Sequence, residues 1–169
     1  MKGIIQQNVE AWRELVQDAP NPFKTPDAFG AAGYALSEAG EAWDAMLRVI
    51  RRGDLRRRSD GEVEPLGKEL GQLAFMLCTT ATLLDVELPD HSDTVSGDPV
   101  DSMLECVNYA GLITKMLRTK DGRAHFDAVY YLDYVWRFYL GPLANNLNVD
   151  LNSEIDTWMQ TIYEKAWSK

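Results

Sequence analysis

Two stretches of this chain, roughly 26–52 and 65–85, carry apolar residues at helical spacing on nearly every side. A helix that is apolar all round must be covered by its neighbours, so both stretches belong in the interior of a bundle. Each nevertheless carries acid. Glu38 and Glu41 lie three apart in the first, and Glu69 and Gln72 lie three apart in the second. That spacing puts the members of each pair on one helix face, about a turn from each other. A buried carboxylate needs a metal, a cation or a proton, so these four side chains are where chemistry is to be sought.

The rest of the sequence continues the helical rhythm. Ile4, Ile5, Val9, Trp12, Leu15 and Val16 mark a helix over 4–16, and further helices are expected over 100–117, 124–145 and 152–166. Punctuation falls between them. Ala19-Pro-Asn-Pro22 breaks the first helix, and Thr25-Pro26-Asp27 reads as an N-cap with proline at the first helical position. Gly53 stops the second, and Ser59-Asp60-Gly61 marks a turn in the connection that follows. No segment sustains a period of two, so the class is all-α, a bundle of antiparallel helical hairpins. The 169 residues, 46% hydrophobic, suit one domain spanning 1–169. Leu84-Asp-Val-Glu-Leu88 and Leu147-Asn-Val-Asp-Leu151 are near copies, each closing a long apolar helix. They suggest two repeated hairpins, about 26–88 and about 99–167, with a linker near 89–98 between Pro89 and Pro99.

The formal net charge of −9 argues against general nucleic-acid binding and against an anionic membrane surface. No apolar run is long enough to span a bilayer. Cys78 and Cys106 sit in apolar helical patterns rather than in disulfide or zinc spacing, as buried thiols of a reducing compartment do. A cytoplasmic location is therefore expected. Apolar helix faces left exposed keep a homodimer open.

If the two apolar helices pack face to face, three carboxylates and a carboxamide converge. Carboxylates that close raise each other's pKa unless a cation compensates them. All-oxygen ligands suit magnesium, or manganese, better than zinc. His91 and His125 lack a glutamate three residues before them, which disfavours a ferritin-like di-iron bundle.

Glu38-Ala-Gly-Glu41-Ala, followed by Lys68-Glu-Leu-Gly-Gln-Leu-Ala-Phe75, resembles the MazG-like, all-α nucleoside triphosphate pyrophosphohydrolases, relatives of the dimeric dUTPases. The Leu-Asp-Val-Glu-Leu segment and the opening Gln6-Gln7 with Trp12 are similar to that family as well. The resemblance implies that Glu38, Glu41 and Glu69, with Gln72, hold magnesium. It also implies that a (d)NTP is cut between its α and β phosphates. Glu38, Glu41 and Glu69 are then the catalytic set. The family has aspartate where this chain has Gln72, which lowers the expected metal affinity. Asp44, one turn beyond Glu41, is a candidate to compensate. A catalytically degenerate module that binds nucleotide or a protein partner without turnover is the alternative.

The second repeat places Glu105 and Asn108 where the first has Glu38 and Glu41, and Tyr130 and Asp133 where it has Glu69 and Gln72. Lys115, Asp133, Arg137, Lys165 and Trp12 are the candidate substrate contacts. Asp133 and Arg137, four apart, have the spacing of a simple ion pair. The tyrosines of 130–139 and Trp12 offer either a nucleobase pocket or plain core. Arg48, Arg51, Arg52 and Arg56–Arg58 read as a solvated helix end and loop.

Overall fold

The computed structural model describes residues 2–20, 27–52, 66–91, 97–119 and 121–168, with the backbone alone at 51 and 52. The expected cap at Thr25-Pro26, the Gly53 stop, the Arg56–Arg58 run and the Ser59-Asp60-Gly61 turn lie outside these residues, as do residues 92–96 of the 89–98 linker. The described residues are helical and irregular, with no strand among them. The helices are α1 (Ile4–Val16), α2 (Ala28–Arg52), α3 (Leu66–Leu83), α4 (Pro99–Arg118), α5 (Gly122–Val135), α6 (Gly141–Asn146) and α7 (Leu151–Trp167). A single π-helical segment, Trp136–Leu140, runs α5 into α6. The six sequence-predicted helices each appear within about two residues of their expected ends, the fifth being α5 through α6.

Helix α3 is the axis of the bundle. Leu66 and every residue from Glu69 to Ala81 are buried, and α1, α2 and α7 all pack against it. Two glycines let α7 come close. A Cβ on Gly71 would stand 2.6 Å from the Cβ of Glu154, and one on Gly67 would stand 2.9 Å from its carboxylate. Helix α2 behaves differently from the sequence expectation. It buries one face, built from Ala31, Ala32, Ala35, Ala39, Ala42, Ala45 and Met46, and leaves Phe29, Tyr34 and Ile50 exposed. Among the described residues, its main neighbours are α3 and α4, and they cover one face. The small alanines bring the backbones close enough for the Thr114 hydroxyl on α4 to donate to the Ala32 carbonyl, 2.9 Å away.

Helix α1 is tied to the segment that follows α3. The Gly3 amide donates to Leu88 O at 2.7 Å, and the buried Gln6 carboxamide donates to Val86 O and accepts from Leu88 N, both at 2.8 Å. No side chain of α1 caps its own start; the Asp90 carboxylate accepts from Ile4 N across 86 positions of sequence. The two near-copied segments end their helices alike. Asp85 (φ 56°) and Asn148 (φ 52°) both take the left-handed conformation, which Asp and Asn tolerate better than most residues. In both, the next valine donates five residues back, Val86 to Ala81 O and Val149 to Ala144 O, as in a Schellman cap.

The π segment has a local cause. Pro142 has no N–H to return to the carbonyl four residues back, so the turn before it widens and Gly141 N bonds to Trp136 O. His91 occupies the room beside Gly141, where a Cβ would meet its Nδ1 at 2.3 Å. Its ring stacks on Trp136 at 4.2 Å between centroids, and the Trp136 indole donates to Pro89 O at 2.7 Å. The described start of the linker is thus packed down on the second half of the chain.

Candidate metal centre

Glu38 and Glu41 come from the edge of the alanine face of α2, and Glu69 from the buried first turns of α3. One carboxylate oxygen from each lies within 4.8 Å of the others. Their surroundings differ: Glu69 is buried, Glu38 half-buried and Glu41 exposed. That gradient leaves the group open to solvent on the Glu41 side and closed on the Glu69 side.

Electrostatics mark the same spot. Glu38 is pushed up to about 7, first by burial and then by the Glu41 and Glu69 charges, with Lys68 offsetting part of the rise. Its Oε2 is buried and accepts no hydrogen bond. An unsolvated carboxylate oxygen beside two further carboxylates is what a hard cation would neutralise. The donor set, three carboxylates with no thiolate or imidazole, fits magnesium or manganese. Gln72, one turn beyond Glu69, is buried as well, its amide oxygen a neutral donor of the same hardness.

The other sequence candidates sit apart from this group. Asp44 forms an exposed ion pair with Arg48 one turn on and takes no place among the three carboxylates. Asp133 and Arg137 pair with each other at 2.7 Å. Lys115 and Lys165 are exposed, each on the outer face of its helix. Trp12 is core, packed edge-on against Phe75 with centroids 5.4 Å apart.

In the second hairpin, Asn108 donates to Glu105 at 3.2 Å, and Tyr109 meets Tyr131, Tyr134 and Tyr139 at 5.4–5.7 Å. Tyr130 stacks on Tyr134, and Phe138 closes the group. Tyr139 is pushed up to about 12, chiefly by burial. The sequence offers the rings of 130–139 as a nucleobase pocket or as core; the part that Tyr109 of α4 plays among them depends on the α4–α5 crossing, which has no local signal.

Among known proteins, no family model, no curated relative and no solved structure matches this chain.

Proposed function

We propose that this chain is a magnesium-dependent nucleoside triphosphate pyrophosphohydrolase that converts a (d)NTP and water to a (d)NMP and pyrophosphate. The observation that carries the reading is the convergence of Glu38, Glu41 and Glu69, with one buried oxygen of Glu38 lacking any donor. The resemblance to the MazG-like enzymes in Glu38-x-x-Glu41 and Glu69-Leu-Gly-Gln72 points to the same residues.

Glu38, Glu41 and Glu69 would hold the cation, with the Gln72 amide oxygen as a neutral fourth donor. Bound there, magnesium supplies charge neutralisation for the phosphate oxygens and orients the anhydride. The chain's own contribution is acid–base. A carboxylate oxygen outside the inner shell accepts a hydrogen bond from the attacking water and takes its proton as the new P–O bond forms. The bridging P–O bond breaks in the same displacement, and the electron pair leaves with pyrophosphate. Glu41, on the solvent side, stands where water enters. Buried Glu69 fixes the inner wall.

Pyrophosphate release from a panel of common and modified (d)NTPs, with magnesium or manganese, tests this. Turnover that is lost in Glu38→Ala is expected; no release from any nucleotide, or release that survives Glu38→Ala, overturns it. One observation favours a second reading, a nucleotide-binding module without turnover. Gln72 removes a charge from the donor set and Asp44 does not restore it. That reading predicts binding without hydrolysis, and hydrolysis regained in Gln72→Asp.

A further inference from the structure

Helix α5 lies at the edge of the bundle. Among the described helices it packs chiefly on α4, and its far side carries rings. Phe126, Tyr130, Tyr134 and Phe138 follow one another four residues apart, which keeps them on one stripe. Tyr130 stacks on Tyr134 at 5.7 Å and Tyr134 meets Phe138 at 4.8 Å, so these rings form a continuous surface. Their inner sides meet one another; their outer sides stay in solvent. Phe126 is 72% exposed, Tyr130 57% and Phe138 54%. At roughly 200 Å² per aromatic side chain, those exposures leave about 370 Å² of ring uncovered. A standard interface covers about 800 Å² on each partner, so three rings supply close to half of one side.

The charges around the stripe are sorted by end. Where α4 begins and α5 ends, Asp101 and Glu105 are the acids, and the cation there, Arg137, is already paired with Asp133. Where α4 ends and α5 begins stand Lys115, Arg118 and Arg123, all exposed, against Asp127 and the Asp121 that caps α5. Tyr109 sets the register between the two helices. It meets Tyr131 and Tyr134, so the middle of the span from Glu105 to Lys115 lies level with the middle of the ring stripe. A two-fold axis at that level exchanges Phe126 with Phe138 and Tyr130 with Tyr134. The same operation brings Glu105 of one copy level with Lys115 of the other, and Asp101 level with Arg118 and Arg123.

We propose that the α4–α5 face docks a second copy of this chain, antiparallel about that axis. The ring stripe forms the centre of the interface, and two Glu105–Lys115 pairs form its rim. A stripe exchanged with itself meets aromatic rings along its whole length. The sorted charges meet their opposites twice. A uniformly basic or uniformly acidic partner would satisfy one end of the face and be repelled by the other. The net charge of −9 on each copy opposes association at long range, which makes this a weak dimer. The inference is independent of the pyrophosphohydrolase reading of the carboxylates.

Sedimentation equilibrium of the full chain in about 0.15 M salt, where charges more than about 8 Å apart are screened, tests this. Wild type is expected to dimerise with a Kd on the order of 10 μM. Phe126→Glu places a charge on the most exposed ring of the stripe and should weaken the dimer roughly tenfold or more, with the helical circular dichroism unchanged. Glu105→Lys alone and Lys115→Glu alone each set like charges against each other twice, and each should weaken it by roughly tenfold. Mixed one to one, these two variants should dimerise as wild type does, because both like pairs become opposite pairs. A chain that stays monomeric at about 0.5 mM overturns the proposal. So does a dimer indifferent to Phe126→Glu, and so does a pair of charge variants that mixing fails to rescue.

Discussion

Hairpin α2–α3 turns three carboxylates toward one another, whereas hairpin α4–α5 gathers tyrosines. In α5, Tyr130 is stacked on Tyr134 at 5.7 Å. In α4, Asn108 donates to Glu105, so this acid and its neighbour satisfy each other. The aromatic cluster closes on itself, each ring gaining on the order of 1 kcal/mol from its neighbours. The acidic group cannot do so, because its members repel. Contacts within the ring cluster are completed by folding; the carboxylate group is not complete, and the proposed cation is what would complete it.

The largest effect that would test this contrast is a pair of alanine substitutions. Glu69→Ala should abolish both the manganese-dependent rise in melting temperature and pyrophosphate release, the latter by roughly 10²-fold or more. Glu105→Ala should leave both within about twofold of wild type, because its partner Asn108 is exposed and bears no charge. Equal losses in the two variants would mean that the halves share one site, and the contrast would be broken.

His91 tests how firmly the halves are joined. It is packed between Trp136 and Gly141 and held down to about 4, first by burial. The unfolded chain takes up its proton near 6.5 and the folded chain only near 4. Stability from this contact is therefore full above about pH 6.5 and is lost as pH falls toward 4, by up to about 3 kcal/mol. Urea melts of wild type and His91→Phe between pH 7.5 and 4 measure the difference. A variant with the same acid slope as wild type would show that the contact is not what acid breaks.

Much of this was legible in the sequence. Apolar spacing located the helices, and Glu-x-x-Glu with Glu69 located the carboxylates, because both signals are carried within a few residues of chain. What required three dimensions was anything decided by a neighbour. Helix α2 is apolar enough to be buried all round, yet its exposure depends on how many helices lie beside it. The widened turn at Trp136 follows from Pro142, a local signal, but its use as a seat for His91 does not. Asp44 has the right spacing and the wrong direction; Arg48, four residues on, takes it away.

The smallest effect is the most diagnostic of an unfinished site. Glu38 is raised to about 7 in the folded chain, by burial and by its two carboxylate neighbours, from an ordinary value of 4.5. A folded carboxyl that holds its proton more tightly than the unfolded one adds stability below about pH 4.5, and that stability is lost as pH rises toward 7. Glu38 is only half-buried, so solvent screening reduces the loss to about 1 kcal/mol. The sign is opposite to that of His91, so Glu38→Gln in a His91→Phe background separates the two. In metal-free buffer the melting temperature of the His91→Phe chain should drift down between pH 4.5 and 7, while that of the Glu38→Gln/His91→Phe double variant stays flat. Saturating manganese should cancel the drift, since cation and proton compete for the same oxygens. A His91→Phe chain with no such drift, or one whose drift manganese leaves unchanged, would mean that the three carboxylates hold no cation and that the two hairpins differ in composition alone.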